Sequence, residues 1–182
     1  MNEPETKVYQ PVTLEHKHGL LVVDDEPEVC NTIYHLLRRR FNVLRAHSAL
    51  EGMYLMEHHE FEIVLTDQRM PGVTGVELLK KVKTKYPEAI RMLYTGYMDM
   101  ESLVKAVNDG HIYRFISKPW QPEELISAVD DAAREFHRIS QTYEELERTR
   151  ETLQVLQQEN QALSARLGTL KARLHSPETG WH

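Results

Sequence analysis

The chain has 182 residues, 41% of them apolar and 27% charged, with a formal net charge of −6. That length holds one ordinary domain plus an appendage, and the acidic balance gives no electrostatic sign of a direct nucleic-acid surface. The single cysteine, Cys30, excludes an intramolecular disulfide, and no apolar run is long enough to read as a membrane span.

Residues 1–18 are polar, mixed in charge and carry two prolines, the pattern of a flexible leader. A cytoplasmic protein is expected. From Gly19 to Phe136 the apolar period switches repeatedly. "GLLVVDD" is a short continuous apolar run, as in a strand covered on both faces. Pro27 opens a helix over "PEVCNTIYHLLRRR", with arginines expected in its last turn. "FNVLRAH" reads as a second strand. The following helix, "SALEGMYLMEHH", begins with Ser48 and Glu51 as a capping-box pair.

"FEIVLTD" is the third strand, "GVELLKKVKTKY" the third helix and "AIRMLYTG" the fourth strand. "DMESLVKAVNDG" reads as a helix starting at Asp99 and stopped by Gly110. "HIYRFIS" is the fifth strand. Beyond Lys118 and Pro119 a fifth helix starts with Pro122 in its first turn. Five strand–helix repeats predict an α/β domain with a parallel sheet and helices on both faces. Ligands of such sheets sit outside the carboxyl ends of the strands.

The strand ends therefore carry the functional argument. The first presents Asp24 and Asp25, the third Asp67, the fourth Thr95, and the fifth leads to Lys118. The acids have plain structural alternatives, Asp24 and Asp25 as caps for the helix at Pro27 and Asp67 as a cap for the turn "QRMPG", and a Lys-Pro pair alone says little. Their convergence on one edge favours chemistry. Crowded carboxylates raise one another's pKa unless a cation compensates. Lys118 and a metal are the two candidates, and an all-oxygen site with room for water suits Mg²⁺. A hydroxyl and an ammonium also suit an incoming phosphoryl group, with Asp67 as nucleophile.

"LLVVDDEPEV", "VLTDQRMPGVTGVELL", "LYTGY" and "YRFISKPW" resemble the receiver domain of two-component response regulators, over roughly Gly19 to Phe136. The resemblance implies a flavodoxin-like five-stranded parallel sheet of order 2-1-3-4-5. It implies that Asp67 accepts a phosphoryl group from a sensor histidine kinase or a small phosphodonor. Asp25 and Asp67 would ligate Mg²⁺ (or Mn²⁺), with Asp24 acting mainly through a water and the main-chain carbonyl of Arg69 as a further ligand. Thr95 and Lys118 would contact the phosphoryl group, and the Lys118–Pro119 bond would be cis. Thr95 and Phe115 would form the switch, remodelling the face of the fourth helix, fifth strand and fifth helix. The family often has tyrosine where this chain has Phe115. Arg69 and Tyr97 flank the position where the family tunes phosphoryl lifetime.

The period becomes seven after Phe136. Ile139, Leu146, Leu153, Asn160, Leu167 and Leu174 form one series, and Thr142, Thr149, Leu156, Leu163 and Leu170 a second, offset by three. Taken as a and d positions, they predict a dimerising, signalling coiled coil over residues 137–174. Asn160 at an a position favours a two-stranded parallel homodimer. Glu145 can reach Arg150 of a partner, whereas Arg166 and Lys171 would repel. A lone amphipathic helix folded back on the receiver is the alternative, and a DNA-binding zipper lacks its basic region.

Residues 175–182 read as a disordered tail or as the start of an output domain. "SPETGWH" faintly resembles the opening of HD-GYP-type cyclic-dinucleotide phosphodiesterase domains, without their metal ligands. The expected protein is thus a phospho-receiver, not itself an enzyme, that acts through its coil on an output domain or protein partner. A phosphate-ester hydrolase on the same fold and a silent structural dimeriser are the readings from other classes.

Overall fold

The computed structural model describes residues 17–96, 106–109 and 111–174. Expectations for Tyr97, Asp99, Gly110, the leader before Lys17 and the segment 175–182 lie outside these residues. Strands β1 (Gly19–Val23), β2 (Asn42–Ala46), β3 (Ile63–Asp67), β4 (Ile90–Thr95) and β5 (Arg114–Ser117) alternate with helices α1 (Pro27–Leu37), α2 (Ala49–His58) and α3 (Gly75–Lys85). Ala106 to Asn108 are helical. A single C-terminal helix runs from Pro122 to Leu174.

The sheet is parallel throughout and its order is β2-β1-β3-β4-β5, as the resemblance implied. Its register places Asp67 beside Tyr94 and Thr95 beside Ser117, so the polar residues at the strand ends share one edge. β3 is buried at every position from Ile63 to Asp67, because the central strand is covered on both faces.

Strand alternation divides the core. Leu21, Val23, Val64 and Leu93 pack with Met56 of α2 and with Leu78, Leu79 and Val82 of α3. Leu20, Val22, Ile63, Leu65, Met92 and Tyr94 alternate with them and are equally buried. Cys30, Ile33 and Leu37 are the buried residues of α1, and Leu125, Ala128, Val129 and Ala132 those of the first turns of the C-terminal helix. The last four recur at helical spacing, which is an apolar stripe. Arg40, just past α1, pairs with Asp130 on that helix at 2.7 Å.

Helix ends differ in detail from expectation. α1 stops at Leu37 and its arginines lie beyond it, since the amides of Arg40 and Phe41 both return to the Leu37 carbonyl. Ser48 caps α2 through the Glu51 amide, but Glu51 reaches the His47 amide rather than that of Ser48, so the box is offset by one residue. A complete capping box occurs instead at α3, between Thr74 and Glu77.

The chain divides into two compact units, one up to His137 and one from Arg138 onward. In the second, Leu146, Leu153, Leu156, Leu163, Leu167 and Leu170 are each between 52% and 58% exposed. Their heptad spacing places them along one stripe. Among the described residues no helix is long and apolar enough to cross a membrane.

Candidate functional site

Asp67 ends β3 and is only 5% exposed. One of its carboxylate oxygens accepts from the Arg69 amide at 2.5 Å, which ties the acid to the turn that follows. The other lies 2.7 Å from the Lys118 ammonium. Asp67 thus shapes the turn and belongs to the charged cluster at once.

Asp24, directly after β1, is fully buried. Its Oδ1 accepts from the Glu26 amide at 2.8 Å, and its Oδ2 accepts from the Tyr94 hydroxyl at 2.7 Å. The Lys118 ammonium stands 3.4 Å from the same Oδ2. The N-cap of α1 is Glu26, which makes no side-chain cap bond, so neither aspartate caps that helix. Asp25, next in the chain, is exposed.

One ammonium therefore bridges two buried carboxylates from different strands. Burial pulls the Lys118 pKa down, but the Asp67 hydrogen bond and the charges of Asp24 and Asp67 outweigh it and hold it above its ordinary value. The Tyr94 hydroxyl is pushed well up, by burial first and then by the Asp24 charge. Both groups are protonated at neutral pH. The backbone fixes the same edge: the Lys118 amide donates to the Thr95 carbonyl at 2.8 Å, and the Lys118–Pro119 bond is cis.

The family "Response regulator receiver domain" matches residues 20–130. The chain belongs to that family. The receiver resembles the "Hydrogenase transcriptional regulatory protein HoxA" of Cupriavidus necator, with 42% identity over 113 residues, 62% of this chain and 23% of that protein. It thus spans about a quarter of the length of that relative. Among solved structures it resembles "adenylate cyclase from Rhodopirellula baltica", with a TM-score of 0.70, 27% identity, and coverage of 72% of this chain and 98% of that one. It also resembles the "signal receiver domain OF HD domain-containing protein" from Pseudomonas fluorescens Pf-5, with a TM-score of 0.64, 30% identity, and coverage of 68% and 99%. These similar proteins carry three different names, so the similarity assigns no output to this chain.

Of the receiver's expected site residues, the geometry gathers Asp24, Asp67 and Lys118 directly. Thr95 ends β4 at the same edge and is 6% exposed. Arg69 is exposed in the turn after Asp67. Phe115, on β5 opposite Leu93, is 40% exposed, so its ring is not part of the core. Among the described residues no three acid, imidazole or thiol side chains gather into a ready-made metal cage. The donors at this edge are carboxylate and carbonyl oxygens, which fit a small hard cation that keeps some of its waters.

Three residues of the site escaped the sequence reading. Tyr94 is one, and its signal was a hydroxyl-bearing ring one position before the end of a buried strand. Gly75 is another: a side chain there would collide with the Asp67 carbonyl and with Leu93, so α3 packs this closely only on glycine. Gln68 is the third, with its side-chain carbonyl accepting from the Val76 amide at 3.1 Å and tying the Asp67 turn to the start of α3. "TDQ" and "TGVE" carried the last two signals, read together as a turn running into a capped helix.

Proposed function

We propose that this chain is a phospho-receiver in which Asp67 accepts a phosphoryl group from the phosphohistidine of a sensor kinase or from a small phosphodonor. The observation that carries the reading is the Lys118 ammonium placed 2.7 Å from Asp67 and 3.4 Å from Asp24, at the carboxyl edge of a parallel sheet. The Asp67 oxygen beside Lys118 attacks phosphorus, an O–P bond forms, and the P–N bond to the donor imidazole breaks. The electron pair returns to the imidazole nitrogen and an acyl phosphate remains on Asp67. Lys118 holds the equatorial charge, and the Thr95 hydroxyl donates to a phosphoryl oxygen.

Asp25, Asp67 and the Arg69 carbonyl would hold Mg²⁺ or Mn²⁺, with Asp24 acting mainly through water. Both Asp24 oxygens already accept protein hydrogen bonds, which supports that indirect role. When bound, the cation supplies charge neutralisation for the phosphoryl oxygens. Thr95 and Phe115 form the switch, and the exposed Phe115 ring corresponds to the state before phosphorylation.

The second unit serves as a parallel homodimeric coiled coil through residues 139–174, supported by the half-exposed leucines at heptad spacing. The coil passes the state of the receiver, which turns over no substrate of its own, to an output domain or protein partner. The setting is cytoplasmic, without direct nucleic-acid or membrane contact.

The test is phosphoryl uptake from a small phosphodonor, with and without Mg²⁺, read as intact mass. One phosphoryl group per chain, dependent on Mg²⁺ and lost in Asp67→Asn, is expected. Uptake by Asp67→Asn, or release of inorganic phosphate that persists undiminished in Asp67→Asn, would overturn the reading.

A further inference from the structure

The fully buried Tyr94 does more than fill the core. A leucine would complete the apolar run of β4 equally well, and a buried hydroxyl costs free energy unless it finds a partner. Its partner is Asp24 Oδ2, at 2.7 Å. The Glu26 amide holds the other oxygen of the same carboxylate at 2.8 Å, so the plane of Asp24 is pinned from two sides. The Tyr94 ring meanwhile lies beneath the Lys118 ammonium, 4.7 Å from ring centroid to nitrogen. One side chain on β4 thus contacts both the acid that follows β1 and the cation that follows β5.

We propose that Tyr94 is a positioning residue of the phosphoryl site, its buried hydroxyl fixing the Asp24 carboxylate for a divalent cation while its ring carries the Lys118 ammonium. The inference rests on the reading of this edge as a Mg²⁺-dependent phosphoryl site. Asp24 is shut away from solvent and cannot reorient freely. With the hydroxyl in place, its lone pairs present one fixed direction to a hydrated cation at the edge. Without the hydroxyl, Oδ2 retains only the longer contact to Lys118, and the carboxylate turns toward that ammonium. Hydrogen-bond partners that orient an acid toward a metal commonly account for about ten- to hundredfold in affinity.

Tyr94→Phe removes the hydroxyl and keeps the ring, so the support beneath Lys118 remains. Mg²⁺ affinity is measured by titration calorimetry on the whole chain, beside wild type, Asp24→Asn and the double variant. The expected result is a loss of about tenfold or more in Mg²⁺ affinity for Tyr94→Phe. No further loss is expected when Tyr94→Phe is added to Asp24→Asn, because the hydroxyl acts through that carboxylate. Phosphoryl uptake by Tyr94→Phe should recover at saturating Mg²⁺. A merely structural hydroxyl would lower the melting temperature and leave the affinity unchanged, which would overturn the proposal. Equal losses in both backgrounds would overturn it too, since Tyr94 would then act by another route. If wild type itself binds no Mg²⁺, it is the phosphoryl-site reading that fails, and Tyr94 falls with it.

Discussion

The Lys118 ammonium sits 2.7 Å from Asp67 and 3.4 Å from Asp24, and so joins the ends of β1, β3 and β5 through one charge. Its side chain is 24% exposed, while those of Asp24 and Asp67 are 1% and 8% exposed. Such a pair is costly to break from one side, because the carboxylates stay buried without compensation.

Lys118→Met should therefore destabilise the metal-free protein by about 2–4 kcal/mol. Because the Lys118 pKa is raised, its contribution is complete at neutral pH and fades only as pH climbs through the folded-state value. Chemical denaturation at pH 7 checks this, with and without Mg²⁺. Added Mg²⁺ should recover more stability in the variant than in wild type, since it replaces the missing positive charge. An unchanged denaturation midpoint would show that the bridge does no structural work.

Gly75→Ala tests the close approach behind Asp67. The added carbon meets the Leu93 side chain and the Asp67 carbonyl, and the carbonyl cannot move without shifting β3. Overpacking of this kind costs about 1–3 kcal/mol. Both the melting temperature and the rate of phosphoryl uptake should fall, because the displaced backbone belongs to the acceptor itself. A melting temperature equal to wild type would contradict the packing described here.

Cys30 gives a pH prediction. Burial first, and then the Asp24 charge, push its thiol from an ordinary 9.0 up to about 11. The folded state keeps the proton where the unfolded chain has lost it, so stability must fall between those two pH values. The contribution reaches about 2–3 kcal/mol at the upper end. Comparing melting temperatures of wild type and Cys30→Ala across that range isolates it, and parallel curves would refute it.

The coil makes a separate prediction. Leu156 and Leu163 are 52% and 56% exposed in the single chain. Leu156→Asp should convert a dimer to a monomer in sedimentation equilibrium. Asn160→Leu should raise the stability of the association and admit states other than the parallel dimer, because a single asparagine at an a position restricts them. A wild-type monomer at all accessible concentrations would remove the coil from the account.

Much of this was legible in the residues. The switching period of the apolar runs gave five strands in order, and parallel pairing then put Asp24, Asp67, Thr95 and Lys118 at one edge. Local chemistry was less legible where two partners compete for one group. Glu51 could serve the amide of His47 or of Ser48, and its spacing from Ser48 does not choose between them. Tyr94 and Gly75 stayed hidden for a different reason. Their roles arise from contacts across strands and between β3 and α3, and no periodicity within a single segment reports such contacts. The leucines beyond Arg138 show the converse: their spacing is plain in the sequence, yet in one chain they are only a half-exposed stripe.

The most direct measurement locates the phosphoryl group. The chain is treated with Mg²⁺ and a small phosphodonor, the acyl phosphate is trapped by borohydride reduction, and the modified residue is identified by peptide mass. Reduction confined to Asp67, at no more than one site per chain, is the predicted result. Modification at Asp24, Asp25 or elsewhere, or a chain that takes up no phosphoryl group, would contradict the central claim.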